Sequence, residues 1–104
     1  MSTENGTGDR QAVFEALQHA LRRELLKLVV EHKELTPSKC ARLLDDKLTD
    51  VSYHMRKLAD RGLVRLDHTG QARGAAVHFY VPGPALEQFP WVHEAIGLSP
   101  PRSG

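Results

Sequence analysis

From Arg10 to His32 apolar residues return at helical intervals (Val13, Phe14, Leu17, Leu21, Leu25, Leu28 and Val29), a period that predicts helix over several turns. A break near "QHAL", where His19 and Ala20 fall, divides this stretch into a short first helix and a longer second one, although one bent helix would satisfy the same spacing. After "KELT", Thr36 offers an N-capping hydroxyl and Pro37 the fixed φ suited to a first helical position. The short helix they start is expected to bury Cys40, Leu43 and Leu44 and to stop at "DDK", whose side chains favour a turn. Another helix follows at once. Thr49 or Asp50 can cap it, Val51, Met55, Leu58 and Ala59 form its apolar stripe, and Gly62 supplies a left-handed exit.

Beyond Gly62 the pattern changes to short β-prone runs, "LVRLDH" and "AVHFYV", separated by "TGQARGA", which has two glycines and no large apolar residue. These predict a hairpin with a flexible basic tip. Val77, Phe79 and Val81 argue for one buried face of the second strand, Ala76 and Tyr80 for the other. "PGP" at 82–84 ends the strand, because proline donates nothing to a ladder. A last apolar cluster, Leu86, Phe89, Trp91, Val92 and Ile96, has Pro90 to start a helix and Gly97 to end it.

A chain of 104 residues that is 40% hydrophobic can build one compact core. The expected domain spans 10–97, and the small, polar or Pro/Gly-rich ends, 1–9 and 98–104, are expected to be disordered tails. With 14 basic against 13 acidic residues, net charge +1 and pI near 8.0, no global excess points to a nucleic-acid or membrane partner. Cys40 alone excludes an internal disulfide and a multi-thiolate metal site within one chain. The start "MSTENGTGD" lacks the basic-then-apolar order of a secretory signal, and no apolar run reaches membrane-spanning length. A cytoplasmic setting with no membrane contact is therefore expected.

The element order, mainly α with a small β-hairpin, is that of a winged helix-turn-helix, in which the later helix of the pair enters the major groove of double-stranded DNA. At about 100° per residue, Thr49, Ser52, Tyr53, Arg56, Lys57 and Asp60 fall opposite Val51, Met55 and Leu58. Exposed helices commonly carry Arg and Lys, but small hydroxyls beside free N–H groups, with Tyr53 one turn in, suit phosphates and base edges. Arg56 could also reach a guanine edge. The candidate DNA-binding residues are Thr49, Ser52, Tyr53, Arg56 and Lys57, with Gln71 and Arg73 in the wing. From Thr36 to Val81 there are 8 basic and 5 acidic residues, a surplus of 3, so affinity should be moderate and strongly salt-dependent. That modest surplus keeps a rival open, a winged-helix protein–protein interaction module.

No Ser, Cys, His and acid set has a spacing that suggests a nucleophile with its base, so no enzyme activity and no cofactor are expected. The six histidines, His19, His32, His54, His68, His78 and His93, show no local ligand spacing, and a metal site needs about three or four ligands. No metal is expected. Cys40 reads as a small core residue and His54 as a satisfied structural histidine at the edge of the buried stripe.

"LQHALRRELLKLVVE", "ARLLDDKLTDVSYHMRKLADRGLV" and "RGAAVHFYV" resemble the ArsR-type winged helix-turn-helix regulators, in particular small bacterial members with a "VSYH" recognition helix and an "RGA…HFY" wing strand. The resemblance covers roughly residues 14 to 81. It implies a recognition helix at about 49–61, a wing between His68 and Ala75 whose Arg73 reaches the backbone or minor groove, and a homodimer on a two-fold-related site. The first and last helices commonly dimerise in that family, which here implies Val13, Phe14 and Leu17 against Leu86, Phe89, Trp91 and Ile96. The paired cysteines and His/Asp/Glu sets of metal-sensing members have no counterpart beyond Cys40 and an isolated "WVHEA".

Overall fold

The computed structural model describes residues 10–98. The two expected tails lie outside that range except for Leu98, whose N–H donates to the His93 carbonyl at 2.7 Å and whose side chain packs on the core.

Within this range α1 covers 10–16 and is followed by α2 (Ala20–His32), α3 (Pro37–Leu44) and α4 (Leu48–Asp60). A hairpin, β1 (Val64–Ala72) and β2 (Ala75–Pro82), precedes two short helices, α5 (Ala85–Gln88) and α6 (Trp91–Ala95). The break near "QHAL" is real. Arg23 Nη1 reaches back from α2 to the Leu17 carbonyl at 2.7 Å, satisfying an acceptor that the end of α1 leaves open. The mainly helical chain with its two-stranded antiparallel hairpin is a winged helix-turn-helix.

Leu25, Leu26 and Val29 of α2 meet Val51, Met55 and Leu58 of α4 in the centre of the core, closed by Leu63, Val64, Tyr80 and Cys40. The α3 start is as expected, since the Thr36 hydroxyl accepts the Lys39 N–H at 3.2 Å and Pro37 opens the helix. Leu43 departs from expectation: it is 46% exposed. A helix this short shows its neighbours a narrow stripe, which Cys40 fills; Leu43 lies about 60° round from it, on the side away from Leu44.

The hairpin is longer and its loop shorter than the side-chain pattern implies. Pairing continues to Ala72↔Ala75, so "TGQA" is strand and only Arg73 and Gly74 turn, with φ of 54° and 79°. Two positive φ values in a two-residue connection are the demand of a type I′ turn, whose twist matches the strands. Main-chain pairing needs no apolar side chain, which is why the pattern missed it. Gly70 is covered by the Phe79 ring, 3.3 Å from where its Cβ would stand. Tyr80 settles which face is inward: it is buried and its backbone also pairs with Leu35. Val77, Phe79 and Val81 stay half-buried, and Ala76, of Tyr80's parity, lies out on the exposed part of the wing.

Gly62 takes φ 75° at the exit of α4, with its N–H bonded to Ala59 and that of Leu63 to Leu58, a Schellman-type ending. Its carbonyl then meets the turn after β2. Ala85 N–H donates to Gly62 O and Gly83 N–H to Leu63 O, each at 2.9 Å. A Cβ on Gly83 would stand 2.2 Å from the Gly62 oxygen, so only glycine permits this approach. The last apolar cluster forms two helices in place of one, because Pro90 leaves the Phe89 region without a continuing ladder and restarts the chain at Trp91. Among the described residues no helix is long and apolar enough to cross a membrane.

Candidate nucleic-acid interface

Helix α4 packs through Val51, Met55 and Leu58, all fully buried, against α2, α3 and the root of β1. Its opposite side is therefore turned to solvent. Thr49, Tyr53 and Arg56 are exposed and Ser52 and Lys57 half-buried. Tyr53 is 47% exposed, and the Lys57 Nζ stands 5.3 Å from its ring centroid, near enough for a weak cation–π contact that aligns the two. Gln71 and Arg73 are exposed on the wing. Among the described residues Arg56, Lys57 and Arg73 hold no ion pair, the only ion pairs being those around Asp67 and His68.

The start of α4 corrects one expectation. Neither Thr49 nor Asp50 is the cap; Lys47 occupies that position, without a side-chain bond, and Thr49 and Asp50 are the second and third helical residues. The turn at 45–47 decides this. Asp45 adopts φ 54°, Asp46 N–H returns to the Ala41 carbonyl at 2.9 Å, and Asp46 Oδ1 takes the Lys47 N–H at 2.7 Å. Aspartate tolerates that left-handed step better than most residues. The first-turn N–H groups of α4 consequently lack a side-chain cap, and such groups favour an anion.

A cleft of about 110 Å³ joins the elements: Thr36, Pro37 and Ser38 from the start of α3, Leu48 and Ser52 from α4, and Ala76, Val77 and His78 from β2. Sequence reasoning missed Leu48, which the helical period assigns to the buried stripe but which overhangs the turn and is 47% exposed. Ser38 and His78 were missed too, because only the hairpin's docking brings β2 beside α3.

His54 is structural. Its Nδ1 accepts the Arg22 Nε–H at 3.0 Å, locking α4 to α2. Burial lowers its pKa, the Arg22 and His19 charges lower it further, and Asp50 and Asp46 oppose them. Cys40 lies in the core, and burial pushes its thiol up to about 11, so it stays protonated and is a poor nucleophile or metal ligand. At the wing root, Asp67 is held below the usual carboxylate range, chiefly by its hydrogen bond with His68.

The residues expected at an interface between copies divide. Val13, Leu17, Leu86 and Ile96 are buried in the chain's own core. Phe89 and Trp91 are half-buried and Phe14 is 52% exposed. The Phe14 and Trp91 rings lie 6.5 Å apart beside a hollow of about 450 Å³ lined also by Arg10 and Gln11.

Residues 9–67, more than half of the chain and the whole of α1 to α4, match the family described as helix-turn-helix domain. The chain belongs to that family. Its fold is similar to that of HlyU from Vibrio cholerae N16961 in the reduced form (17% identity, TM-score 0.66, 89% of this chain and 94% of that one). It is also similar to that of NolR from Sinorhizobium fredii (15%, TM-score 0.65, 94% of each). A third likeness is to a cysteine-to-serine mutant of MarR from E. coli, solved in complex with operator DNA (14%, TM-score 0.57, 88% of this chain and 68% of that one). No curated protein matches the chain in sequence.

Proposed function

We propose that this helix-turn-helix protein is a cytoplasmic, sequence-specific DNA-binding transcriptional regulator of the ArsR type, acting as a homodimer. The observation that carries this reading is α4 itself. Its inner side is sealed by Val51, Met55 and Leu58, and its outer side offers Thr49, Tyr53, Arg56 and Lys57 with no ion pair among the described residues. Arg56 and Lys57 bind phosphate or base edges in the major groove, Tyr53 packs on the sugar-phosphate chain, and Thr49 and Ser52 sit where the uncapped N–H groups of α4 favour a phosphate. Leu48, overhanging the turn, suits a thymine methyl group. Arg73, raised on the tight turn, and Gln71 contact the backbone or minor groove beside the same site. The MarR structure with operator DNA supports the reading by the likeness of fold.

The dimer rests on Phe14, Trp91 and Phe89, the part of the α1–α6 surface that the core leaves accessible, with Val13, Leu17, Leu86 and Ile96 supporting it from beneath. The same apolar surface favours the second reading, a winged helix that docks a protein. Selection of bound sequences from a random duplex pool tests the proposal: a two-fold-related consensus is expected, and recovery of no enriched sequence would sink it in favour of the docking module.

A further inference from the structure

At the root of the wing the fold brings Glu34 beside Asp67 and His68, which are neighbours in the chain but distant from it. His68 Nδ1 is 2.8 Å from Asp67 Oδ2 and 3.8 Å from Glu34 Oε2, and one donor atom from each of the three side chains lies within 4.8 Å of the others. We propose that Glu34, Asp67 and His68 bind a divalent first-row transition-metal ion, with zinc(II) as the reference case.

The distances fit such an ion. Zinc–nitrogen and zinc–oxygen bonds of about 2.0–2.2 Å at tetrahedral angles leave donors roughly 3.4 Å apart, and 2.8 and 3.8 Å straddle that value. An ion entering the cluster replaces the His68–Asp67 hydrogen bond and needs only small side-chain rotations. Donor chemistry narrows the choice, since an imidazole with two carboxylates favours zinc, nickel or cobalt over magnesium or calcium. The two carboxylates neutralise the dication. All three side chains are exposed, so the ion has open entry and water completes its shell.

The donors are also held. His68 stacks on Phe79, centroids 4.4 Å apart at 11°, which fixes the plane of the ring. Asp67 is the extra residue where the register passes from Leu66↔Tyr80 to His68↔Phe79, and a bulge of this kind re-aims a side chain. Arg65 Nη1 stands 3.5 Å from Asp67 Oδ1, engaging one oxygen and leaving Oδ2 towards His68, as an outer partner does for a ligating carboxylate. Glu34 is placed by its neighbour Leu35, whose N–H and carbonyl bond to Tyr80 at 3.0 and 2.8 Å. The bound ion ties the link between α2 and α3 to the wing. Sequence spacing concealed the set, because Glu34 meets Asp67 and His68 only once β2 lies between them.

The test uses the full chain stripped of metal, without DNA, so that its outcome is independent of the DNA reading. Zinc(II) is titrated in competition with a chromophoric chelator, and the melting temperature is followed with and without the ion. One ion per chain and a rise in melting temperature are expected, since a ligand of the folded state stabilises it. His68→Ala, Glu34→Gln and Asp67→Asn each weaken binding at least about tenfold and lose the rise, whereas His19→Ala leaves both unchanged. Failure of the chain to compete for zinc would overturn the site. So would unchanged binding in any one of the three ligand variants.

Discussion

On α4, Val51, Met55 and Leu58 are fully buried and the outward side carries Thr49, Tyr53, Arg56 and Lys57; where α1 meets α6, Val13, Val92 and Ile96 are buried but Phe14 is left in solvent beside a half-covered Trp91. Both regions satisfy the same core. They differ in what they show to the outside, cations on one and aromatic surface on the other. An exposed cation costs little in water and gains by releasing counterions from a polyanion, whereas exposed aromatic area gains by being covered. On the function proposed above, DNA takes the first surface and a second copy of the chain the other.

The largest effects are expected from breaking the side the two regions share. Leu58→Ala removes a fully buried side chain and should cost about 2–5 kcal/mol in denaturant unfolding; a loss under about 1 kcal/mol would mean that α4 is not seated as described. Gly83→Ala sets a Cβ against the Gly62 carbonyl and should cost about 1–3 kcal/mol, with Ala85→Ser as a milder neighbour for comparison. On the aromatic surface, Trp91→Ala should raise the dimer dissociation constant roughly tenfold or more, measured by sedimentation equilibrium. A wild-type chain that sediments as a monomer at micromolar concentration would remove that half of the contrast.

Smaller effects sharpen the basic side. Arg73→Ala should weaken DNA binding severalfold and reduce the slope of log affinity against log salt by about 1, leaving the selected sequence unchanged; an altered consensus would move Arg73 from backbone to base contact. His54 supplies a pH signature. Its lowered pKa means that the folded chain takes up its proton at lower pH than the unfolded chain does, near 6.5. Stability attributable to His54 is thus fully present above that value and is lost as pH falls below it. Melting midpoints of His54→Gln, which keeps an acceptor for Arg22, should decline less between pH 7 and pH 5 than those of the wild type. Parallel declines would show that burial, with the Arg22 and His19 charges, does not lower the titration of His54 as described.

What could be read along the chain was whatever a local rule controls. The Thr36–Pro37 start, the stripe of α4, the Gly62 exit and the break before α2 each depend on residues within a turn or two of one another. Features that depend on a distant partner were hidden. Leu48 and Leu43 have the spacing of core residues, yet each is nearly half exposed. Pairing through Ala72↔Ala75 is a main-chain matter that no side-chain pattern announces. Among the candidate site residues, the helix wheel correctly put Thr49, Tyr53 and Arg56 outside. It could not foresee that Ser38, Leu48 and His78 share a cleft with Ser52.

The contrast stands or falls on the outer face of α4. Fluorescence anisotropy of a labelled duplex carrying the selected sequence, titrated with the chain at a series of salt concentrations, measures it directly. The wild type should bind with affinity that falls steeply and linearly on logarithmic axes, and Arg56→Ala with Lys57→Ala should abolish specific binding without changing the unfolding midpoint. Equal affinity in the double variant, or no binding by the wild type at low salt, would contradict it.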